Sequence, residues 1–107
     1  MEYIYEQIIK DDGIKLRGVI NTPSNFDQSK KYPIVIFFHG FGGDRNGTCF
    51  FRTNHAKNLI EKGYLVARFD FSGSGESDGS FYDMTVSREL KEAEMIHDFV
   101  KMKSYVD

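Results

Sequence analysis

A glycine-rich turn follows directly on a hydrophobic run: Ile34-Val35-Ile36-Phe37-Phe38 leads into His39-Gly40-Phe41-Gly42-Gly43. Glycines let the backbone bend sharply and bring main-chain N–H groups close to a ligand. The carboxyl end of a strand in an open α/β sheet is also where such ligands bind. Acyl transfer uses donors of this kind, because its tetrahedral intermediate carries an oxyanion. One well-placed donor lowers the barrier by roughly 3–4 kcal/mol. The alternative is a tight glycine turn with no chemistry.

A second candidate, Gly75-Glu76-Ser77-Asp78-Gly79, matches Gly-x-Ser-x-Gly. A nucleophile elbow needs a strand running into the first glycine and a helix starting directly after the serine. Here the apolar run ends near Phe69, well before Gly75, and the next helical pattern waits until about Asp83. Ser77 therefore reads as a turn residue that hydrogen-bonds locally. His55 and His97 fall on predicted helices, with His97 facing solvent. Asp70 stands at a strand's carboxyl end and reads as a residue that fixes the loop. The three histidines lack metal-ligand spacing. Gly73-Ser74-Gly75 lacks both the P-loop lysine and the third glycine of a dinucleotide fingerprint. Cys49 has no recognisable reactive context. No cofactor and no metal are implied.

Alternating strands and helices must position these residues. Tyr3 to Ile9 is rich in aromatic and β-branched types and reads as a strand. Asp12-Gly13 is a hairpin signal. Ile14, Leu16 and Ile20 then alternate with polar residues in a second, half-buried strand that Pro23 closes. Ser24 to Lys31 is a polar loop. The run Ile34–Phe38 has the continuous apolarity of a strand covered on both faces. From about Phe50 to Lys62 a helix places Ala56, Leu59 and Ile60 on one face, with Gly63 as its C′ residue. Tyr64 to Phe69 is another buried-type strand, and Ser72 to Ser80 is a glycine-serine loop. Val86, Leu90, Ala93, Ile96, Phe99 and Val100 recur at helical spacing to about Lys103, with Asp83 as N-cap. This order predicts an α/β fold in one domain: an antiparallel β-hairpin followed by parallel βαβ, with helices on both faces of the sheet.

The two loops also carry a family resemblance. Pro33 to Gly43 resembles the third strand and oxyanion loop of the α/β-hydrolases. Asp70-Phe71-Ser72-Gly73-Ser74-Gly75-Glu76-Ser77-Asp78-Gly79 resembles the loop after the family's fourth strand. The blocks occur in the family's order with one helix between them, and the resemblance spans essentially the whole chain. Within the family it is most similar to cinnamoyl (feruloyl) esterases and related bacterial carboxylesterases. The resemblance implies that the Phe41 N–H donates to the oxyanion and that its ring helps wall an acyl pocket. It makes His39, Gly40, Gly42 and Gly43 the supporting loop, with His39 structural and not the catalytic base. It also implies that nucleophile, acid and histidine come in that order after Asp107, so no catalytic triad residue lies within the chain. The expected function is an N-terminal piece of a serine carboxylesterase, inactive alone and acting on a small-molecule ester when complete. The alternatives are a non-catalytic half that pairs with a partner chain, or another chemistry on the same scaffold: peptidase, lipase or dehalogenase.

Bulk properties set outer bounds. Fourteen basic residues against sixteen acidic ones give a net charge of −2, with no basic patch for nucleic acid or a membrane surface. The longest apolar run is far too short to cross a bilayer. No basic-then-apolar leader opens the sequence, and its single cysteine fits a reducing compartment, so the expectation is a cytoplasmic protein. In the family's sheet order Ile34–Phe38 borders a fifth strand. Without it that strand becomes an apolar edge, and the chain is expected to self-associate there.

Overall fold

The computed structural model describes residues 1–39, 43–45, 51–83 and 85–107. The chain opens with strands β1, Glu2–Ile9, and β2, Lys15–Thr22, paired antiparallel from Glu2↔Thr22 to Ile9↔Lys15. Asp12 Oδ1 accepts the Ile14 N–H at 3.0 Å and closes the predicted turn. Strand β3, Ile34–Phe38, is followed by helix α1, Phe51–Glu61, and strand β4, Leu65–Phe69. Helix α2, Val86–Lys101, comes last, after a 3-10 turn at Phe81–Asp83.

Among the described residues the sheet has four strands in the order β1-β2-β4-β3. Strand β4 lies antiparallel to β2, with Gly18 opposite Phe69. It lies parallel to β3, with Phe38 opposite Phe69. Successive strand residues point to opposite faces. Leu65, Ala67 and Phe69 therefore pack with Leu16 and Ile20 against Ile96 and Val100 of α2. Val66 and Phe37 pack against Ala56 and Ile60 of α1 on the other face. Helices cover both faces of the sheet, as the order of elements predicts.

Local chemistry sets the element ends. The Tyr64 N–H donates to Leu59 O at 3.1 Å and the Gly63 N–H to Ile60 O at 3.1 Å, the two bonds of a Schellman motif. Gly63 sits at φ +95°, where a side chain would be strained. Tyr64 is thereby spent on the cap, and the strand begins one residue later than its sequence suggests.

Three expectations need correction. Asp83 does not cap α2; it closes the 3-10 turn, and Thr85 is the cap. Thr85 has extended backbone (φ −132°, ψ 160°), and its Oγ1 accepts the Arg88 N–H at 3.1 Å. Only a residue that leaves the helix one turn before the free N–H can reach it. Strand β2 is not half-buried: Leu16 and every residue from Gly18 to Thr22 are buried, because β1 and β4 flank it and packing covers both faces. Nor do all the periodic apolar residues of α2 face the sheet. Ile96 and Val100 are buried, whereas Val86 and Leu90 are 73% and 66% exposed.

Strand β3 ends the sheet. On its outer side Tyr32 donates to Tyr105 O at 2.9 Å and accepts from the Asp107 N–H at 2.9 Å. Tyr32 and Val106 thus form a parallel bridge, so residues 105–107 lie beside the path of β3. A groove of about 330 Å³ runs below that edge between Ile34, Ile36, Val100 and Val106. Among the described residues no helix is long and apolar enough to cross a membrane.

Candidate functional site

The carboxyl ends of β3 and β4 lie side by side because those strands pair in parallel, Phe38 opposite Phe69. Loops leaving both strands therefore meet at one end of the sheet. His39 leaves β3 there and is buried. Its Nε2 accepts the Phe71 N–H at 3.0 Å, and its ring stands edge-on to Phe71 at 4.8 Å. A nitrogen that accepts a backbone N–H has its lone pair committed, so this contact makes His39 a tether. Gly43 is exposed. Gly40, Phe41 and Gly42, and also Cys49, lie outside the described residues.

Asp70 caps the end of β4 and is wholly buried. Its Oδ1 accepts the Arg45 backbone N–H at 2.7 Å; its Oδ2 accepts Arg45 Nη1 at 2.5 Å and the Glu76 N–H at 3.0 Å. The Arg45 guanidinium also pairs with Glu76. Burial opposes the charge on Arg45, but the bonds to Glu76 and Asp70 outweigh it and hold the guanidinium above its ordinary value. Gly75, at φ +50°, makes room: a Cβ there would collide with the Asp70 carboxyl.

Ser77 is held inside the same loop. Its hydroxyl donates to Asp70 O at 2.6 Å and accepts the Arg17 N–H at 2.8 Å. It sits in a turn rather than at the start of a helix, since α2 begins only at Val86. Asp78 accepts from Arg17 Nη1 at 2.6 Å and from the Lys15 N–H at 3.3 Å. The Arg17 bond, joined by the Lys15 N–H, holds the Asp78 carboxyl below the usual carboxylate range. Both contacts tie the β4 loop to β2.

Two buried charges escaped the reading of the sequence. Arg68, on β4, donates through Nε to Asn21 Oδ1 at 2.8 Å and through Nη1 to Thr53 Oγ1 at 2.8 Å and Arg45 O at 3.3 Å. Burial lowers its guanidinium below the ordinary value. Glu92, on α2, accepts the Ser72 N–H at 2.8 Å, the Ser72 hydroxyl at 2.6 Å and Lys10 Nζ at 2.9 Å. Both had a signal: each is a lone charge within an apolar pattern, Arg68 inside Leu65–Phe69 and Glu92 in line with Ile96 and Val100. Arg45 had none, because loop sequence carries no periodicity. His97 is exposed and meets its neighbour Asp98; His55 is exposed on α1 and packs its ring on Phe37 at 5.1 Å. Neither of these contacts involves His39, Arg45, Asp70 or Ser77. Among the described residues no three His, Cys, Asp or Glu side chains converge as a metal site would require.

The site is thus a pair of interlocked loops at the carboxyl end of a parallel strand pair, and the sequence of one of them is glycine-rich. Known proteins share the fold. Est1E of Butyrivibrio proteoclasticus, solved with ferulic acid bound, superposes with a TM-score of 0.82 at 32% identity, covering 97% of this chain and 39% of that one. The uncharacterized protein YcjY of Escherichia coli (strain K12) is 30% identical over 95 residues, 88% of this chain and 30% of its own length. The probable dipeptidyl-aminopeptidase B of Arthroderma otae is 35% identical over 116 residues, covering 97% of this chain and 12% of that protein. The chain spans well under half the length of each of these. The sequence model of the X-Pro dipeptidyl-peptidase (S15) family matches residues 12–106. The chain belongs to that family, and so to the α/β-hydrolases.

Proposed function

We propose that this chain is the part of a serine hydrolase that supplies the oxyanion loop, and that the whole enzyme cleaves small carboxylic esters. The observation that carries this is the anchoring of the residues that flank the glycine-rich segment, His39 on Phe71 and Arg45 on Asp70, at the end of the sheet where α/β enzymes bind substrate. In this reading the Phe41 N–H is one oxyanion donor, supported by Gly40, Gly42 and Gly43. The nucleophile lies elsewhere, because the Ser77 hydroxyl is engaged on both sides by main-chain groups. It attacks the ester carbonyl, a histidine takes its proton, and Phe41 stabilises the resulting oxyanion. The 32% identity to Est1E across 97% of this chain supports an ester as substrate.

The family match favours a second reading, cleavage of a dipeptide from an X-Pro amino terminus, by the same acyl-enzyme route. Steady-state assays on the natural gene product separate the two. Hydrolysis of p-nitrophenyl butyrate and methyl ferulate, with Gly-Pro-p-nitroanilide left intact, is the expected result. The opposite preference moves the protein to the peptidase reading, and hydrolysis of neither class overturns both.

A further inference from the structure

Two residues of β4 and its exit grip the main chain of Arg45 from both sides. Arg68 Nη1 donates to the Arg45 carbonyl at 3.3 Å, and Asp70 Oδ1 accepts the Arg45 N–H at 2.7 Å. The side chain of Arg45 returns to Asp70 Oδ2 at 2.5 Å. The residue after Asp70, Phe71, donates its N–H to His39 at 3.0 Å. One dipeptide, Asp70-Phe71, therefore holds both His39 and Arg45, the residues that flank the glycine-rich segment. At Arg45 these bonds fix the main chain, and at His39 they hold the side chain.

Resting on the hydrolase reading above, we propose that Asp70 is a positioning residue for catalysis, acting through Arg45 on the loop that carries the oxyanion donor. An oxyanion donor counts only where it meets the developing charge, and a displacement of about 1 Å can cost on the order of a hundredfold in rate. Asp70 suits that task because it is wholly buried and both of its oxygens are committed to donors. The Asp70 carboxylate touches no reacting atom in this scheme. It differs from a general base, which needs a lone pair facing the substrate.

Asp70→Asn tests the proposal in the natural gene product. Asparagine keeps the shape and one acceptor, but points an NH₂ at Arg45 Nη1 and the Glu76 N–H. Hydrogen exchange of the residue-45 amide is expected to rise about tenfold or more, because an NH₂ set against the Arg45 guanidinium and the Glu76 N–H pushes the side chain away from the position in which its oxygen accepts that amide. With ester substrate, kcat is expected to fall at least about tenfold while KM stays within about twofold, the mark of an interaction made only in the transition state. Arg45→Gln is expected to reproduce both effects, and the double variant to lose no more than either single one. Unchanged exchange at residue 45, a change confined to KM, or additive losses would overturn the proposal. If Asp70→Asn no longer unfolds cooperatively, Arg45→Gln decides, by the same exchange and kcat criteria. If the wild-type protein hydrolyses neither esters nor X-Pro peptides, the hydrolase reading falls, and the exchange measurement alone upholds or overturns the Asp70–Arg45 anchor.

Discussion

Glu92 holds Ser72 twice: one carboxylate oxygen accepts the Ser72 N–H at 2.8 Å and the other its hydroxyl at 2.6 Å. The same carboxylate accepts Lys10 Nζ at 2.9 Å. A helix, the β4 loop and the end of β1 thus meet on one wholly buried acid. Glu92→Gln is expected to cost roughly 2–3 kcal/mol, since it leaves Lys10 without its main partner and sets an amide donor among donors. Urea unfolding at about pH 7 measures this, and a cost indistinguishable from zero would show the cluster to be dispensable.

That contribution carries a pH signature. Burial pushes the Glu92 carboxyl up, but the bonds from Ser72 and Lys10 outweigh it and hold it below its ordinary value of 4.5. Between the folded and unfolded values the unfolded chain binds the extra proton, so stability falls as pH falls there. The stability difference between wild type and Glu92→Gln is therefore expected to be full above about pH 4.5 and to shrink as pH drops through the folded value. A difference that grows on acidification would contradict this assignment.

Ser77 is expected to matter for folding rather than for chemistry. Ser77→Ala removes the acceptor for the Arg17 N–H and the donor to Asp70 O, at a cost of roughly 1–3 kcal/mol. Ester turnover per folded molecule is expected to stay within about twofold, whereas removing a true nucleophile lowers kcat by orders of magnitude. A collapse of turnover with the fold intact would make Ser77 the nucleophile after all.

The two candidate caps of α2 are separable. Thr85→Ala removes the acceptor for the Arg88 N–H and is expected to destabilise by about 1 kcal/mol. Asp83→Ala, whose side chain caps nothing in α2, is expected to cost less than half as much. Thermal melting of both variants makes the comparison, and equal shifts would return Asp83 to the capping role.

The open side of β3 predicts association of the 107-residue chain. The Leu65 N–H donates to Pro33 O, so by the alternation of a parallel ladder Ile36 turns its main-chain groups away from β4. An apolar edge of this kind recruits further strands. Size-exclusion chromatography is expected to show species larger than a monomer, and Ile36→Pro to reduce them without removing a β3–β4 bond. A cooperatively melting monomer would refute the prediction.

Local patterns carried most of the fold. The continuous apolarity of Ile34–Phe38, the glycine that ends α1 at Gly63 and the Asp12-Gly13 turn each act within a few residues, so the sequence displays them directly. Strand β2 was misjudged because its burial depends on neighbours, β4 among them, that lie far along the chain. Val86 and Leu90 keep the helical period yet stay exposed, because periodicity names a face without saying how far along the helix the sheet extends.

By itself, then, the sequence determined the element order and the α/β layering, since these follow from short-range sterics and apolar spacing. Only the tertiary structure decided what the residues on either side of the glycine-rich segment are fastened to. Arg45 and Asp70 lie 25 residues apart, His39 and Phe71 lie 32 apart, and Lys10 and Glu92 lie 82 apart. A buried charge must find partners in space, and β4 brings those partners together by pairing antiparallel to β2 and parallel to β3.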